Sequence, residues 1–380
     1  MAHSILEAIP EEQAIKSITR HYHVSSEQAS SDYIQFKTQL DELLRPDGAC
    51  PIHELEVEVI PPFSTKPSAP YRMDLALTYR CNNDCAHCYN ARPRNYPELS
   101  TEQWKKILDK LWQIGIPHIV FTGGEPTLRT DLLDLIAYAG QNGQVTGLNT
   151  NGRRLSDLEY VHRLVEVGLD HVQMTLESHN PNIHDKMVGS SSAWNQTTEG
   201  IKNAIDSPLF VMTNTTMLES NAPFLGDTLK FLTALGVPTI GLNALIYAGG
   251  GLTVGNGLKE SDLAPLLDTA RCHTQANGQR LIWYTPTQYC HFDPMSLELG
   301  VKGCTAALYN MCIEPDGSII PCQSYYHSIG NLLYDSWESI WNHDLALSLR
   351  ERRNIPQKCH GCALLSECGG GCPLFNQLEQ

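Results

Sequence analysis

The chain has 380 residues, 42% of them hydrophobic, and a formal net charge of -15 at pH 7. This length predicts two or three domains with sizeable cores, and the acidic balance argues against a nucleic-acid surface, where Lys and Arg must neutralise phosphates. No run of eighteen apolar residues occurs, and Met1–Pro10 lacks the basic start and apolar core of a secretory signal. We therefore expect a cytoplasmic protein with no membrane role.

Residues 1–60 are predicted to form a small helical N-terminal domain. Apolar side chains recur at helical spacing between Ile15 and Leu44, and the alternating run His53–Ile60 predicts one strand after these helices. Four prolines within residues 61–70 then predict a linker.

Residues 71–257 alternate short apolar runs with helical segments, which predicts βα units and a parallel sheet. The predicted strands are Met73–Thr78, His118–Thr122, Val145–Asn149, His171–Leu176, Phe210–Thr216 and Thr239–Ile246. The predicted helices are Thr101–Ile114, Asp131–Asn142, Asp157–Val167, Ala193–Asp206 and Pro223–Leu235, the first of them capped by Ser100. Six strands predict an α/β fold of the partial (β/α)6 TIM-like barrel type, with its chemistry at the carboxyl ends of the strands.

The remaining sequence divides into three parts. The stretch Gly249–Gly257 is interpreted as a flexible connector rather than a phosphate cradle, because it lacks the spacing of a phosphate-binding motif. Residues 258–303 predict a connecting segment with one helix, Asp262–Asn277. Residues 304–380 predict a cysteine-rich domain that metal rather than apolar burial organises.

The thirteen cysteines are the unusual feature of the composition. In a reducing compartment they indicate metal binding or catalysis before disulfides. Three lie in the loop after the first strand, at Cys81, Cys85 and Cys88, and three stand apart, at Cys50, Cys272 and Cys290. Seven crowd the last quarter of the chain: Cys304, Cys312, Cys322, Cys359, Cys362, Cys368 and Cys372.

Three thiolates in one loop are one ligand short of a tetrahedral zinc site. His87 lies between Cys85 and Cys88, where adjacency hinders its ring from reaching the same ion. A 4Fe-4S cluster offers another solution, because three of its irons can take thiolates while the fourth stays open to an exogenous ligand.

The C-x3-C-x2-C spacing of Cys81, Cys85 and Cys88, directly after a predicted strand, resembles the signature of the radical S-adenosylmethionine (radical SAM) superfamily. This resemblance implies that the three cysteines hold a 4Fe-4S cluster. The superfamily's loop carries an aromatic residue before the last cysteine, and His87 occupies that position as a candidate cofactor contact.

A second motif, Gly-Gly-Glu-Pro within Phe121–Leu128, also resembles the superfamily. Glycines permit close approach of the backbone to a ligand, and a carboxylate can pair with an ammonium group. The resemblance implies that Gly123, Gly124 and Glu125 contact the methionine part of S-adenosylmethionine. By the same resemblance, further cofactor contacts are expected from Asn149, Thr175 and Glu177.

The implied reaction is reductive cleavage of S-adenosylmethionine to a 5'-deoxyadenosyl radical, which abstracts a hydrogen atom from a substrate. The electron is expected from a donor protein such as a flavodoxin or ferredoxin. The protein's part is to hold the cofactor, tune the cluster and exclude water. The sequence identifies no catalytic acid, base or radical-quenching residue.

The last cysteines follow the pattern C-x2-C-x5-C-x3-C. Upstream, residues 313–320 predict a hairpin with a Pro-Asp-Gly turn, followed by a Gly-x4-Cys element that ends at Cys322. Taken alone the spacing also suits a zinc ribbon; together the parts resemble a SPASM domain, which implies one or two auxiliary iron-sulfur clusters. Cluster one would use Cys304, Cys322 and Cys372, with Cys312 as a candidate fourth ligand or a buried thiol. Cluster two would use Cys359, Cys362 and Cys368.

The family pattern has a further cysteine after the last pair, and Pro373–Gln380 contains none. Cluster two therefore has an open iron, a non-cysteine ligand or Cys290, or it is absent; the sequence leaves these alternatives open.

The substrate is predicted from the N-terminal helices, which resemble the helical part of peptide-recognition domains between Glu11 and Leu44. A simple helical cap is the alternative. We expect a ribosomally made peptide, modified by crosslinking, epimerisation or oxidation. Tetrapyrrole side-chain chemistry and a non-catalytic metal-binding scaffold remain the alternative functions.

Overall fold

The computed structural model describes residues 10–22, 24–43 and 66–377. The chain divides into two compact units, Met1–Pro61 and Pro62–Gln380. The predicted strand His53–Ile60, the first half of the predicted linker, and Cys50 lie outside the described residues. No helix in the described ranges is long and apolar enough to span a bilayer.

The described part of the first unit forms two helices, α1 (Glu11–Tyr22) and α2 (Ser26–Leu43). Their buried side chains are Ala14, Ile18, Ala29 and Tyr33, which pack into one small core. Ala14 and Ile18 are four residues apart on α1, as are Ala29 and Tyr33 on α2, so each helix presents one apolar stripe. The helical spacing predicted for this segment is confirmed.

The second unit is built on one ten-stranded sheet, ordered β10-β9-β8-β1-β2-β3-β4-β5-β6-β7. The strands are β1 (Arg72–Thr78), β2 (His118–Gly123), β3 (Val145–Thr150), β4 (His171–Thr175), β5 (Phe210–Met217), β6 (Thr239–Ala244), β7 (Arg280–Trp283), β8 (Asn310–Ile313), β9 (Ser318–Ile320) and β10 (Gly330–Asn331). All pairs from β8 through β1 to β7 are parallel. The predicted partial barrel is confirmed.

Two strands extend that barrel beyond the six predicted. β7 has four residues and lies within the segment that was predicted as a connector with one helix. β8 and β9 form the hairpin predicted from the Pro-Asp-Gly turn, and β8 also pairs in parallel with β1. The cysteine-rich segment therefore shares a sheet with the barrel.

The helices of the second unit are α3 (Thr101–Ile114), α4 (Leu132–Asn142), α5 (Leu158–Glu166), α6 (Pro181–Val188), α7 (Ala193–Ile205), α8 (Leu225–Ala234), α9 (Glu260–Ala276), α10 (Trp337–Trp341), α11 (Asp344–Arg350), α12 (Leu365–Cys368) and α13 (Pro373–Asn376). Ser100 caps α3 as predicted, in a capping box with Gln103. α6 is absent from the sequence prediction. Its eight residues are too few for a clear helical period.

The apolar core lies between the strands and these helices. Met73, Leu75 and Leu77 of β1 belong to it, as do Trp104 and Leu111 of α3. Because side chains alternate along a strand, the intervening residues of each strand face the barrel lumen. The buried face of the sheet thus fixes which side chains line the lumen.

At the amino-terminal end of the lumen, two histidines meet across a glycine. The Nε2 atoms of His118 and His171 are 2.7 Å apart. A Cβ atom on Gly147 of β3 would lie 2.1 Å from the His171 ring. Burial and the neighbouring His171 and Arg72 lower the pKa of His118 to about 4, so this ring is neutral at pH 7.

Gly147→Ala is expected to lower the free energy of unfolding by about 1 to 3 kcal/mol, because the new methyl group overlaps the His171 ring. The measurement is the urea midpoint, followed by the fluorescence of the buried Trp104 and Trp283. Gly226→Ala in α8 is the matched control, since a Cβ there meets nothing within 4 Å, and alanine favours a helix by about 1 kcal/mol. Equal midpoints for the two variants would contradict the packing argument.

Candidate active site

The cysteine loop, residues 81–90, follows the carboxyl end of β1. The backbone N–H of Asn83 donates to Cys81 Sγ at 3.4 Å. Burial raises the pKa of the Cys85 thiol, and the neighbouring Cys88 and Cys81 raise it further. The three thiols of this loop therefore lie near enough to one another to interact electrostatically.

Two arginines hold the cysteine loop from outside. Arg94 donates to the carbonyl oxygens of Cys81 at 2.7 Å and Asn83 at 2.6 Å. Arg153, from the segment after β3, donates to the carbonyl oxygen of Asn82 at 2.5 Å. Guanidinium groups have several donors in a fixed plane, so each can satisfy carbonyl groups that the loop's irregular backbone leaves without a sheet or helix partner.

Glycines after β6 pack on the other side of the cysteine loop. The N–H of Gly250 donates to the carbonyl oxygen of Cys88 at 2.8 Å. A Cβ atom on Gly250 would lie 2.4 Å from Ala86 O, and one on Gly249 would lie 2.5 Å from Asn90 O. The prediction of a flexible connector is wrong for this turn, Gly249–Leu252, because its backbone contacts the cysteine loop directly.

The Gly-Gly-Glu-Pro loop after β2 also contacts the end of β1. Gly123 has a φ of +132°, and a Cβ there would lie 2.1 Å from Thr78 O. A Cβ on Gly124 would lie 2.4 Å from Arg80 O. These glycines are required by close approach of two protein backbones; their predicted contact with the cofactor stays a prediction.

Glu125 is fully buried, and both of its carboxylate oxygens accept hydrogen bonds. Oε1 accepts from Thr127 N at 3.0 Å, Thr127 Oγ1 at 2.6 Å and Thr150 Oγ1 at 2.8 Å, and Oε2 accepts from Asn151 N at 2.8 Å. Burial raises the pKa of Glu125, although these donors oppose that rise. Glu125 thus ties the loop after β2 to the loop after β3, and the predicted pairing with an ammonium group must compete with four donors.

Glu177 joins the loop after β4 to the cysteine loop. Its Oε1 is 2.9 Å from His87 Nε2, and its Oε2 accepts from Thr216 N at 2.8 Å. Burial would lower the pKa of His87, but the Glu177 carboxylate outweighs it and the pKa is raised. His87 and Glu177, both predicted as cofactor contacts, hold each other; whether they also touch the cofactor remains a prediction.

Asn149 and Thr175 lie on the lumen face near the carboxyl ends of β3 and β4, where both are half-buried. In the sheet, Asn149 is paired with Gln173, and Thr175 with Asn214. Asn214 Nδ2 donates to Asn243 Oδ1 at 2.8 Å. The two predicted cofactor contacts therefore stand in a row of neutral polar side chains.

In the C-terminal segment, Cys304, Cys322 and Cys372 converge. Burial raises the pKa of Cys304, and the neighbouring Cys372 and Cys322 raise it further. Cys304 lines a cavity of about 480 Å³ together with Arg352 and Gly371. This cavity lies beside Cys304, one of the three cysteines predicted for the first auxiliary cluster.

Cys312 occupies a different environment. It is fully buried on β8 and packs in an apolar cluster with Ala76, Tyr79 and Ile320. Its thiol donates to the carbonyl oxygen of Ile313 at 3.7 Å. Of the two alternatives for Cys312, these contacts describe a buried thiol; ligation to the first cluster stays a prediction.

The cysteine thiols of the loop after β1 and of the C-terminal segment are the donor atoms that iron-sulfur clusters use. Across residues 10–22, 24–43 and 66–377, no three His, Cys, Asp or Glu side chains are close enough to share a single metal ion. Thiolates of a cluster bind different irons and so lie farther apart than the ligands of one ion. Neighbouring thiols that do not share one ion, and the N–H···S hydrogen bond to Cys81, fit an iron-sulfur cluster.

Sequence reasoning missed four residues of this site: Arg94, Arg153, Gly249 and Gly250. Nothing in the sequence indicates which backbone groups the two arginines bind. The glycines could have been found, because three consecutive glycines directly after a predicted strand lie in a βα loop, and such loops carry the active sites of parallel barrels.

Two family models match the chain. Residues 75–243 match the Radical SAM superfamily, and residues 304–363 match the SPASM iron-sulfur cluster-binding domain. The first match contains the cysteine loop and the loops after β2, β3 and β4. The second contains Cys304, Cys322 and the C-x2-C pair.

Named relatives cover most of the chain. The Fe-coproporphyrin III synthase of Methanosarcina barkeri is 29% identical, over 77% of this chain and 81% of that protein. The PqqA peptide cyclase of Rhodopseudomonas palustris is also 29% identical, over 80% of this chain and 82% of that protein. The two named activities differ, so the names of these relatives do not identify one substrate.

Solved structures share the fold. Streptococcus suis SuiB, bound to precursor peptide SuiA, superposes with a TM-score of 0.68 at 15% identity, covering 93% of this chain and 87% of SuiB. The structure of anSMEcpe with bound AdoMet gives a TM-score of 0.65 at 17% identity, covering 80% of this chain and 89% of anSMEcpe.

The two family matches give the cofactors as a 4Fe-4S cluster, S-adenosylmethionine and auxiliary iron-sulfur clusters. The chain belongs to the radical SAM superfamily and carries a SPASM domain behind its barrel.

Proposed function

We propose that this radical SAM enzyme modifies a ribosomally made peptide, by crosslinking, epimerisation or oxidation. When bound, the cluster and S-adenosylmethionine together supply a 5'-deoxyadenosyl radical that takes a hydrogen atom from the substrate. Cys81, Cys85 and Cys88 would hold that cluster. Membership in an enzyme family removes the non-catalytic scaffold from the alternatives.

The chain's own residues position the cysteine loop for this reaction. Glu177 binds His87 within the loop, and Gly250 binds the carbonyl oxygen of Cys88. Arg94 and Arg153 bind the carbonyl oxygens of residues 81 to 83. Contacts from these neighbouring segments preorganise the loop, which favours one geometry for the reacting atoms.

The lining of the lumen is the observation that favours a peptide. Toward the carboxyl ends of β2 to β6, the lumen-facing polar residues are neutral amides and hydroxyls: Thr122, Asn149, Gln173, Thr175, Asn214, Thr216 and Asn243. Such groups hydrogen-bond well to peptide N–H and C=O groups. The PqqA peptide cyclase relative and the SuiB complex with its precursor peptide support the same substrate class.

A tetrapyrrole is the second candidate, because one relative is named Fe-coproporphyrin III synthase and another AdoMet-dependent heme synthase. The carboxylates of such a substrate would need cationic partners. Near the mouth of the barrel, however, Arg80 pairs with Glu98 at 3.1 Å, and Arg92 pairs with the buried Glu314 at 2.7 Å. These guanidinium groups are engaged within the protein, which makes the peptide the better fit.

The electron is proposed to come from a small iron-sulfur or flavin protein, such as a ferredoxin or flavodoxin. In the barrel cluster, three irons bound by cysteines leave the fourth iron open. The protein environment sets the potential at which the cluster accepts an electron.

Cys85→Ala is expected to reduce the formation of 5'-deoxyadenosine to the level of a protein-free control, because the loop then has two thiolates. The assay is anaerobic incubation of cluster-loaded protein with S-adenosylmethionine and dithionite, followed by chromatography. Cys272→Ala is the matched control, since Cys272 is an exposed cysteine on α9. Full product formation by Cys85→Ala would disprove the assignment of the barrel cluster.

The substrate class is tested with both candidate substrates in the same assay. We expect a short peptide encoded beside this gene to lose two hydrogens or change configuration at one residue, with a matching rise in 5'-deoxyadenosine. A panel of tetrapyrroles that carry carboxylate side chains should leave 5'-deoxyadenosine at its basal rate. Mass spectrometry and chiral amino-acid analysis detect a change in the peptide; loss of a side-chain group from a tetrapyrrole instead would establish the second candidate.

A further inference from the structure

The turn Gln288–His291, between β7 and β8, packs against the C-terminal cysteines. The N–H of Tyr289 donates to Cys368 Sγ at 3.4 Å, and that thiol is 3.6 Å from the carbonyl oxygen of Thr287. The residue that follows Tyr289 is Cys290. A segment outside the SPASM match thus places Cys290 next in the chain to a residue that contacts Cys368, one of the three cysteines predicted for cluster two.

The turn is held rigidly in that place. Gln288 Nε2 donates to Asn376 Oδ1 at 2.8 Å, and a Cβ atom on Gly371 would lie 2.9 Å from Gln288 Cγ. The N–H of His291 closes the turn by donating to Gln288 O at 2.8 Å. The position of Cys290 is therefore set by contacts on both sides rather than by a loose loop.

Cys290 also lies close to another cysteine of the group. Burial raises the pKa of the Cys359 thiol, and three neighbours raise it further: Cys368, Cys290 and Cys362. The backbone brings those partners together as well, since Cys362 N donates to Cys359 O at 3.2 Å. Cys359 therefore has the other three cysteines as electrostatic neighbours, while the Cys290 thiol itself donates to Gln288 Oε1 at 3.8 Å.

Other side chains near this region have different partners. His291 Nδ1 is 2.8 Å from Glu260 Oε2, and Glu367 accepts from the Ser366 hydroxyl at 2.5 Å. His360 lines the cavity that contains Cys304. Each of these side chains carries an oxygen or nitrogen atom that can bind iron, and His360 and Glu367 are the rival ligands to Cys290.

We propose that Cys290 is the fourth ligand of the second auxiliary cluster, completing the set of Cys359, Cys362 and Cys368. On binding, the Cys290 thiol releases its proton to solvent, and its thiolate donates an electron pair to iron without change of oxidation state. Four protein ligands leave this cluster no open iron. It would therefore transfer electrons rather than bind substrate.

Alkylation of the wild-type protein tests the proposal without any variant. Cys290 and Cys272 are both exposed, and a thiolate bound to iron does not react as a nucleophile. In anaerobic, cluster-loaded protein we expect iodoacetamide to modify Cys290 about tenfold or more slowly than Cys272, and at a similar rate once a chelator has removed the iron. Equal rates in the loaded protein, with Cys359, Cys362 and Cys368 protected, would overturn the proposal.

Electron paramagnetic resonance of variants provides a second test of whether Cys290 binds the cluster. In a background with Cys81, Cys85 and Cys88 changed to Ala, so that the barrel cluster is lost, Cys290→Ala should give a 3Fe-4S signal on mild oxidation, because one iron has lost its protein ligand. Cys272→Ala should match the background. The same signal from His360→Ala or Glu367→Gln, with none from Cys290→Ala, would assign the ligand to the rival residue and refute the proposal.

Discussion

The close approach of three backbone segments at the carboxyl end of β1 is the constraint on which the site depends. Gly124 and Gly250 lie on different sides of the cysteine loop, and a Cβ atom at either would lie 2.4 Å from a carbonyl oxygen of residues 80 to 86. Side chains cannot occupy such positions without moving the backbone. The cysteine spacing defines which atoms bind the cluster, but the glycines allow the loop to lie where the cofactor needs it.

Buried carboxylates complete this arrangement. Glu125 joins the loops after β2 and β3, and Glu177 joins the loop after β4 to the cysteine loop through His87. Each carboxylate accepts several hydrogen bonds, which offsets the cost of burying its charge. The loops that surround the cofactor are thus cross-linked to each other, and preorganisation of this kind is what positions reacting groups.

The sequence predicted the parts of the molecule that depend on local pattern: the six βα units, the Ser100 cap, the hairpin at Pro-Asp-Gly and the family. It could not predict contacts between distant segments. Gly250 and Cys88 are neighbours in space although 162 residues separate them, and β8 joins β1 from the far end of the chain. Hydrophobic periodicity reports which face of an element is buried, but it does not identify the partner.

Gly250→Ala tests the central claim most directly. Its methyl group would overlap the backbone at Ala86 O, whereas the control Gly257→Ala would meet the side chains of Leu245 and Tyr247 rather than a backbone atom. We predict that Gly250→Ala forms 5'-deoxyadenosine about 10- to 100-fold more slowly than wild type, because the cluster loop is displaced, while Gly257→Ala stays close to wild type. Equal rates for the two variants, at equal iron content, would contradict the account.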